Sequence, residues 1–335
     1  MCRIMPLMAA DCSQPMLSVV VPAYNEQDNI EPLLAQLVPV LESLTPSFEI
    51  TFVDDGSRDN TAARVSDAGR RDPRVRLLRF SRNFGHQAAL FAGIEHAAGQ
   101  AVVMMDGDLQ HPPEIVRRLF DEWRGGGEVV QAVRRAPADD SLIKRTTSGA
   151  FYHVLSRLSR TKVTPGASDF RLMNRDAVCA FLQCRERCRF NRGLVQWIGF
   201  DYREVVYDAA PRHAGRSKYS LRSMLRLAGD AIFSFSAWPL RLAGLAGVVV
   251  SLAAAVYLIY VIIVAAFTKF AVPGWSSILA TLLIIGGLQL IVLWILGEYV
   301  GRLYEEAKQR PIYILRGRKT ADAAPCNDRR ESATV

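Results

Sequence analysis

Two long stretches without a charged residue, 242–267 and 270–297, constrain this chain most. A helix rises about 1.5 Å per residue, so each stretch is long enough to cross roughly 30 Å of hydrocarbon. Core helices seldom run this long without a polar stripe, and the reading is two membrane-crossing helices. Pro273-Gly274 breaks the second stretch near its start, and the linker at residues 268–275 has room only for a hairpin. Both flanking arms therefore lie on one side. Arg212, Arg216, Lys218, Arg222 and Arg226 precede the first stretch, while Arg302, Lys308, Arg310, Arg316, Arg318 and Lys319 follow the second. This excess of basic residues predicts that both arms, and both termini, are cytoplasmic. Between residues 219 and 235, Leu221, Leu225, Ala228 and Ile232 recur at helical spacing beside Arg222 and Arg226, a pattern for an amphipathic helix at headgroup level. A helix packed on the soluble domain is the alternative.

The net charge of +8 over 335 residues raises the question of nucleic acid. Much of the excess flanks the membrane stretches, where it meets anionic lipid headgroups, and no nucleic-acid motif accompanies it. No nucleic-acid partner is expected. Residues 1–15 lack an apolar run of signal-peptide length. The six cysteines are expected as reduced thiols in a cytoplasmic setting, and Cys184 and Cys188 have no further Cys or His pair to complete a zinc set.

The first half alternates short β-rich runs with helical patterns. Runs at 17–22, 48–53, 75–80, 101–105 and 128–133 read as strands; segments at 29–44, 60–69, 87–98 and 113–123 read as helices. Such alternation requires crossover connections and predicts an α/β fold, a mostly parallel sheet with helices on both faces. The chain then divides into an N-terminal segment (1–16), an α/β domain (17–216), interface helices (217–238), a two-helix membrane hairpin (239–298) and a polar tail (299–335).

Ligands bind such sheets beyond the carboxyl ends of the strands, and polar clusters fall at those ends. Tyr24-Asn25-Glu26 follows the first strand, Asp54-Asp55-Gly56-Ser57 the second, Ser81-Arg82-Asn83 the third and Asp106-Gly107-Asp108-Leu109-Gln110 the fourth. Any one of these could be ordinary turn chemistry. Four on one rim point to a site. Carboxylates at i and i+2 can share a divalent ion that also binds a diphosphate, so Asp106 and Asp108 suggest a nucleotide-diphosphate substrate.

At this point the chain resembles a known family, the membrane-anchored family 2 glycosyltransferases that load a sugar onto a polyprenyl phosphate, similar to dolichol-phosphate mannose synthase and bacterial polyprenyl-phosphate glucosyltransferases. The resemblance rests on residues 21–26 (VPAYNE), 54–61 (DDGSRDNT), 82–87 (RNFGHQ), 106–114 (DGDLQHPPE), 169–172 (DFRL), Arg192-Gly193 and 215–219 (GRSKY). It departs at Gly107, where relatives often carry Ala, at His111, where they often carry Asp, and at Arg216, where Glu is frequent.

The resemblance implies a GT-A-type, Rossmann-like sheet followed by the interface helix and two transmembrane helices, in a bacterial cytoplasmic membrane. It implies an inverting transfer of a hexose from a nucleotide-diphosphate sugar, of the UDP-glucose or GDP-mannose class, to undecaprenyl phosphate. Asp54 or Asp55 would anchor the nucleoside, with Pro22, Tyr24, Glu26, Ser57 and Asn83 around it. Asp106, Asp108 and Gln110 would hold Mg²⁺ or Mn²⁺ against the diphosphate. Arg134, Lys144 or Arg145, and Ser148 would receive the lipid phosphate, with Arg171 and Lys218 as candidates for sugar or phosphate contacts. A phosphate acceptor is already largely ionised near neutral pH, so no dedicated general base is required. Asp169 is expected to orient Arg171 or a sugar hydroxyl, and His86 either to touch the sugar or to cap its helix. Association through the membrane helices and the segment 302–315 into a homo-oligomer is a further implication.

Two other readings compete. A polysaccharide-extending synthase of the same family would carry a Q-x-x-R-W motif and more membrane helices, and Gln196-Trp197-Ile198-Gly199 does not match it. A non-catalytic scaffold would be expected to have lost the acidic pair, which is present.

Overall fold

A computed structural model of the chain describes residues 15–135, 167–187, 189, 191–208, 238–267 and 275–316. The first strands form where expected: β1 (Leu17–Ala23), β2 (Phe48–Asp54), β3 (Val75–Arg79), β4 (Ala101–Met104) and β5 (Val129–Arg134). The helices between them are α1 (Ile30–Leu44), α2 (Thr61–Arg71), α3 (His86–His96) and α4 (Glu114–Arg124). Beyond these the chain adds β6 (Ala167–Asn174), α5 (Arg175–Gln183), α6 (Asn191–Trp197) and β7 (Tyr202–Tyr207), none of which the periodicity predicted.

The seven strands form one sheet in the order β3-β2-β1-β4-β6-β5-β7. Every strand runs the same way except β6, which pairs antiparallel with both β4 and β5. The strands of such a covered sheet are apolar on both faces. In β1, Leu17, Val19 and Val21 face a layer built with α1, α2 and α4, while Val20 faces a layer containing α3, α5 and α6. That split is the period of two expected of a strand. From β1 the chain runs outward through β2 to β3 and then crosses back over α3 to β4 on the other side of β1, so the crevice beyond the carboxyl ends of β1 and β4 is the topological switch point where such sheets bind ligands.

Two long helices follow, α7 (Trp238–Phe267) and α8 (Trp275–Ala307), packed on one another. Among the described residues one stretch, Ile285–Ala307, is long and apolar enough to cross a membrane, and Leu242–Tyr257 is a shorter apolar stretch. Large apolar side chains on both helices, including Leu252, Tyr260, Ile278 and Trp294, are more than half exposed. The expected interface helix at 219–235 lies outside the described residues.

Candidate active site

The rim loops are laced to one another by short polar side chains. In the loop after β1, Asn25 sits in the left-handed region and its N–H donates to Ser57 Oγ at 3.0 Å, while its own Oδ1 accepts from the Arg58 N–H at 3.0 Å. Glu26 N–H donates to Thr61 Oγ1 at 2.9 Å, and Gln27 Oε1 accepts from the Asn60 N–H at 3.0 Å. Asp54, fully buried, accepts from the Ser57 N–H at 2.9 Å and pairs with Arg79 at 3.3 Å. Asp54 and Ser57 therefore shape the loops. Asp55 is the aspartate of this pair that borders the crevice.

Asp55 also fixes the loop after β3. Its carboxylate accepts from the Phe84 N–H at 2.6 Å and the Gly85 N–H at 2.9 Å. Burial pushes its carboxyl above the ordinary aspartate value, and these two bonds oppose that rise. Gly56 makes the approach possible: its φ is +71°, and a Cβ there would stand 2.5 Å from the carbonyl carbon of Arg82. The result is a cleft of about 280 Å³ bordered by Pro22, Tyr24, Asp55, Asn83 and His86. Four of these five are residues expected around the nucleoside. Glu26 stands behind them, accepting from Asn29 Nδ2 at 2.5 Å.

The acidic loop after β4 adjoins this cleft. Leu109 takes a left-handed φ of 61°, and the Gln110 N–H donates to Asp108 Oδ1 at 3.1 Å, closing a tight turn. Asp106 points inward. Burial pushes its carboxyl up, opposed by His111 and His86, and its buried Oδ1 has no hydrogen-bond partner. His86 Nε2 stands 3.5 Å from that oxygen and 3.5 Å from Asp169 Oδ2. Burial disfavours the imidazolium of His86, but the bond to Asp169 and the field of Asp106 outweigh it and raise its pKa. His86 is thus a bridge between two carboxylates at the first turn of α3, bordering the cleft.

His111 is spent internally. Its Nδ1 accepts from the Asp106 N–H at 3.0 Å, which leaves the proton of the neutral ring on Nε2. Phe170 stacks on it at 4.6 Å and Tyr207 meets it edge-on at 6.4 Å. Burial holds its pKa below the ordinary histidine value, against the pull of Asp106 and Asp108. The departure at this position therefore places a buried imidazole against Asp106, with Nε2 3.7 Å from Asp106 Oδ2.

Asp169, on β6 beside β4, is the centre of a buried charge network. Its oxygens receive Arg192 Nε and Nη2, each at 3.3 Å, Arg171 Nη2 at 3.4 Å and Gln87 Nε2 at 3.3 Å. Burial would raise its pKa, but Arg192, His86 and Arg171 overcome this and hold it far below the ordinary range. Arg171 is 2% exposed, with Nη2 also donating to Ser168 O at 2.9 Å. It stands behind Asp169 rather than open to a ligand. Arg134 is exposed at the carboxyl end of β5, on the same rim. Lys144, Arg145, Ser148 and Lys218 lie outside the described residues.

The residues fit a divalent metal. An unsatisfied, desolvated carboxylate oxygen on Asp106 is costly by itself and is what a cation would satisfy. Asp108 and Gln110 add the hard oxygen donors that Mg²⁺ or Mn²⁺ prefers. No cluster of three or more His, Cys, Asp or Glu forms a cage among the described residues. Such an ion would depend on substrate phosphates to complete its shell, as Mg²⁺ commonly does.

The Glycosyl transferase family 2 model matches residues 18–181, which span the crevice loops and the acidic motif. An uncharacterized glycosyltransferase of Synechocystis sp., sll0501, is 41% identical over 299 residues, covering 89% of this chain and 94% of that protein. The chain belongs to glycosyltransferase family 2. A protein of Shigella phage SfX called bactoprenol glucosyl transferase is 38% identical over 304 residues, 90% of this chain and 99% of that protein. Among solved structures, glucosyl-3-phosphoglycerate synthase from Mycobacterium tuberculosis, in complex with Mn²⁺, UDP and glucosyl-3-phosphoglycerate, is similar with a TM-score of 0.47 and 20% identity, over 66% of this chain and 78% of that one. As a family 2 member this chain is a glycosyltransferase with a mostly parallel, seven-stranded α/β domain.

Asp169 meets Arg171 as one of its two expected roles required, while its links to Arg192, His86 and Gln87 are the part of the site that motif reading did not assemble. Asp169-Phe170-Arg171 and Arg192-Gly193 were both visible as motifs, but their contact spans 23 residues and depends on β6 lying beside β4.

Proposed function

We propose that this glycosyltransferase transfers a hexose from a nucleotide-diphosphate sugar to a polyprenyl phosphate at a membrane surface, with inversion at the anomeric carbon. The observation that carries the reading is the cleft at the switch point: Asp55 and Asn83 border a space for a nucleoside, and the unsatisfied oxygen of Asp106 adjoins it where a diphosphate would lie. The polyprenyl acceptor is supported by the likeness to the phage bactoprenol glucosyl transferase over nearly the full length of both chains. The long apolar helices support a membrane-seated enzyme, and we place both α7 and α8 across the bilayer with the catalytic domain on the cytoplasmic face.

In this account Tyr24 and Pro22 wall the nucleoside, and Asp55 keeps the loop bearing Asn83 in place. Asp106, Asp108 and Gln110 would hold Mg²⁺ or Mn²⁺, which supplies charge neutralisation to the departing nucleoside diphosphate. His86 and Arg192 bring positive charge toward the transferred sugar. Arg134, with Lys144 and Ser148, receives the acceptor phosphate, whose ionised oxygen attacks directly and needs no proton removed. Arg171 contributes through Asp169.

Membranes containing the protein, supplied with undecaprenyl phosphate and each radiolabelled UDP- or GDP-sugar in turn, should convert one donor into label extractable with organic solvent. A folded protein that labels no lipid with any donor sinks the proposal.

A further inference from the structure

The segment leaving α8 returns to the α/β domain and docks beside the cleft. Residues 311–316 lie along the edge strand β3: the Ser81 N–H donates to Ile314 O at 2.9 Å, the Arg316 N–H to Arg79 O at 2.7 Å, and Leu315 bridges Phe80. Tyr313 stacks on the buried Phe80 with centroids 5.1 Å apart and planes at 16°, and its hydroxyl donates to Glu95 Oε2 on α3 at 2.7 Å. Phe80 in turn meets Phe84 edge-on at 5.6 Å, and the Phe84 N–H is the one held by Asp55. A path of direct contacts therefore runs from the end of a long apolar helix to the wall of the donor cleft. Ile312 and Leu315 pack with Tyr313 against the core layer that holds Phe80, and the segment lines a cavity of about 750 Å³ with Phe91 and Glu95 of α3.

We infer that Tyr313 is a positioning residue for the donor cleft: the segment 311–316 holds the loop at 81–85 in the conformation that sets Asn83 and the partners of Asp55. The inference rests on the proposed donor role of that cleft. It makes nucleotide affinity depend on a residue outside the family model's match, beyond the last membrane helix.

Two measurements on the full chain in lipid nanodiscs test it: hydrogen exchange across residues 80–85, and calorimetric binding of UDP and GDP with Mg²⁺. Tyr313→Ala should speed exchange at 80–85 while leaving β1 protected, and should weaken the bound nucleotide about fivefold, the worth of one aromatic pair. Tyr313→Phe, which keeps the stack, should stay near the unaltered protein. Arg316→Pro, which deletes one donor and disturbs no aromatic contact, should shift both readouts in the same direction. Unchanged exchange at 80–85 in both Tyr313→Ala and Arg316→Pro overturns the inference, as does an increase spread evenly over the sheet. If the unaltered protein binds neither nucleotide, the donor reading falls and the exchange data alone decide whether the segment holds the loop.

Discussion

Asp169 is a buried carboxylate and Asp106 a half-buried one whose Oδ1 alone is fully enclosed, and their surroundings push them in opposite directions. Asp169 is surrounded by donors, and its charge is secured by Arg192, His86 and Arg171 against the cost of burial. Removing that charge would leave Arg171 buried without its partner, a change that typically costs about 3–5 kcal/mol. Asp169→Asn should accordingly lower the thermal midpoint sharply, and a midpoint within a degree or so of the unaltered protein would contradict the network. Asp106 keeps an oxygen unsatisfied, and burial raises its pKa, so its charge burdens the metal-free protein. Asp106→Asn should stabilise the metal-free protein by about 1 kcal/mol, as relief of functional strain commonly does, while abolishing metal-dependent turnover. A variant that is both destabilised and active would refute the assignment. His111 belongs to the same balance, since its buried ring accepts from the Asp106 N–H and stands 3.7 Å from the Asp106 carboxylate.

At the scale of elements, the rim depends on backbone approaches that only certain residues permit. Gly56→Ala places a Cβ against the Arg82 backbone at a φ of +71°, two faults in one position. It should cost about 3 kcal/mol or more and be read as a lower denaturant midpoint. At the opposite end of the sheet, Glu49 is buried on β2 and receives Ser18 Oγ at 2.6 Å, the Ala98 N–H at 2.7 Å and Arg76 at 2.8 Å. Burial would raise its pKa, but these contacts bring it below the ordinary glutamate value. A carboxyl lowered on folding contributes stability that is complete above its unfolded pKa and is lost as pH falls through its folded one. Glu49→Gln should therefore flatten the acid limb of the stability curve and cost about 2 kcal/mol near neutral pH.

The legibility of these elements follows their chemistry. β1 to β5 were readable because their apolar runs end in polar turns, and that alternation implied a parallel sheet. β6 was not, because Asp169 and Arg171 interrupt its apolar pattern and are buried by pairing with each other and with Arg192, His86 and Gln87. That polar residues gather at the rim was readable, but the division of labour between Asp54 and Asp55 was not, since it depends on which carboxylate the Phe84 and Gly85 amides reach.

For the whole molecule, the proposed function gives the sheet's switch point and the two apolar helices a single task, joining a water-soluble donor to an acceptor held in lipid. The docked segment after α8 links the two parts physically. In that proposal the basic residues around the helices face anionic headgroups on the cytoplasmic side. The most direct test uses the purified full chain in vesicles with Mg²⁺, undecaprenyl phosphate and the donor identified by labelling, and measures by mass spectrometry both the lipid product and the nucleotide released. The account predicts an undecaprenyl phosphate bearing one hexose for each nucleoside diphosphate formed. Nucleotide released without a lipid-linked sugar, or sugar appearing as polymer, would contradict it.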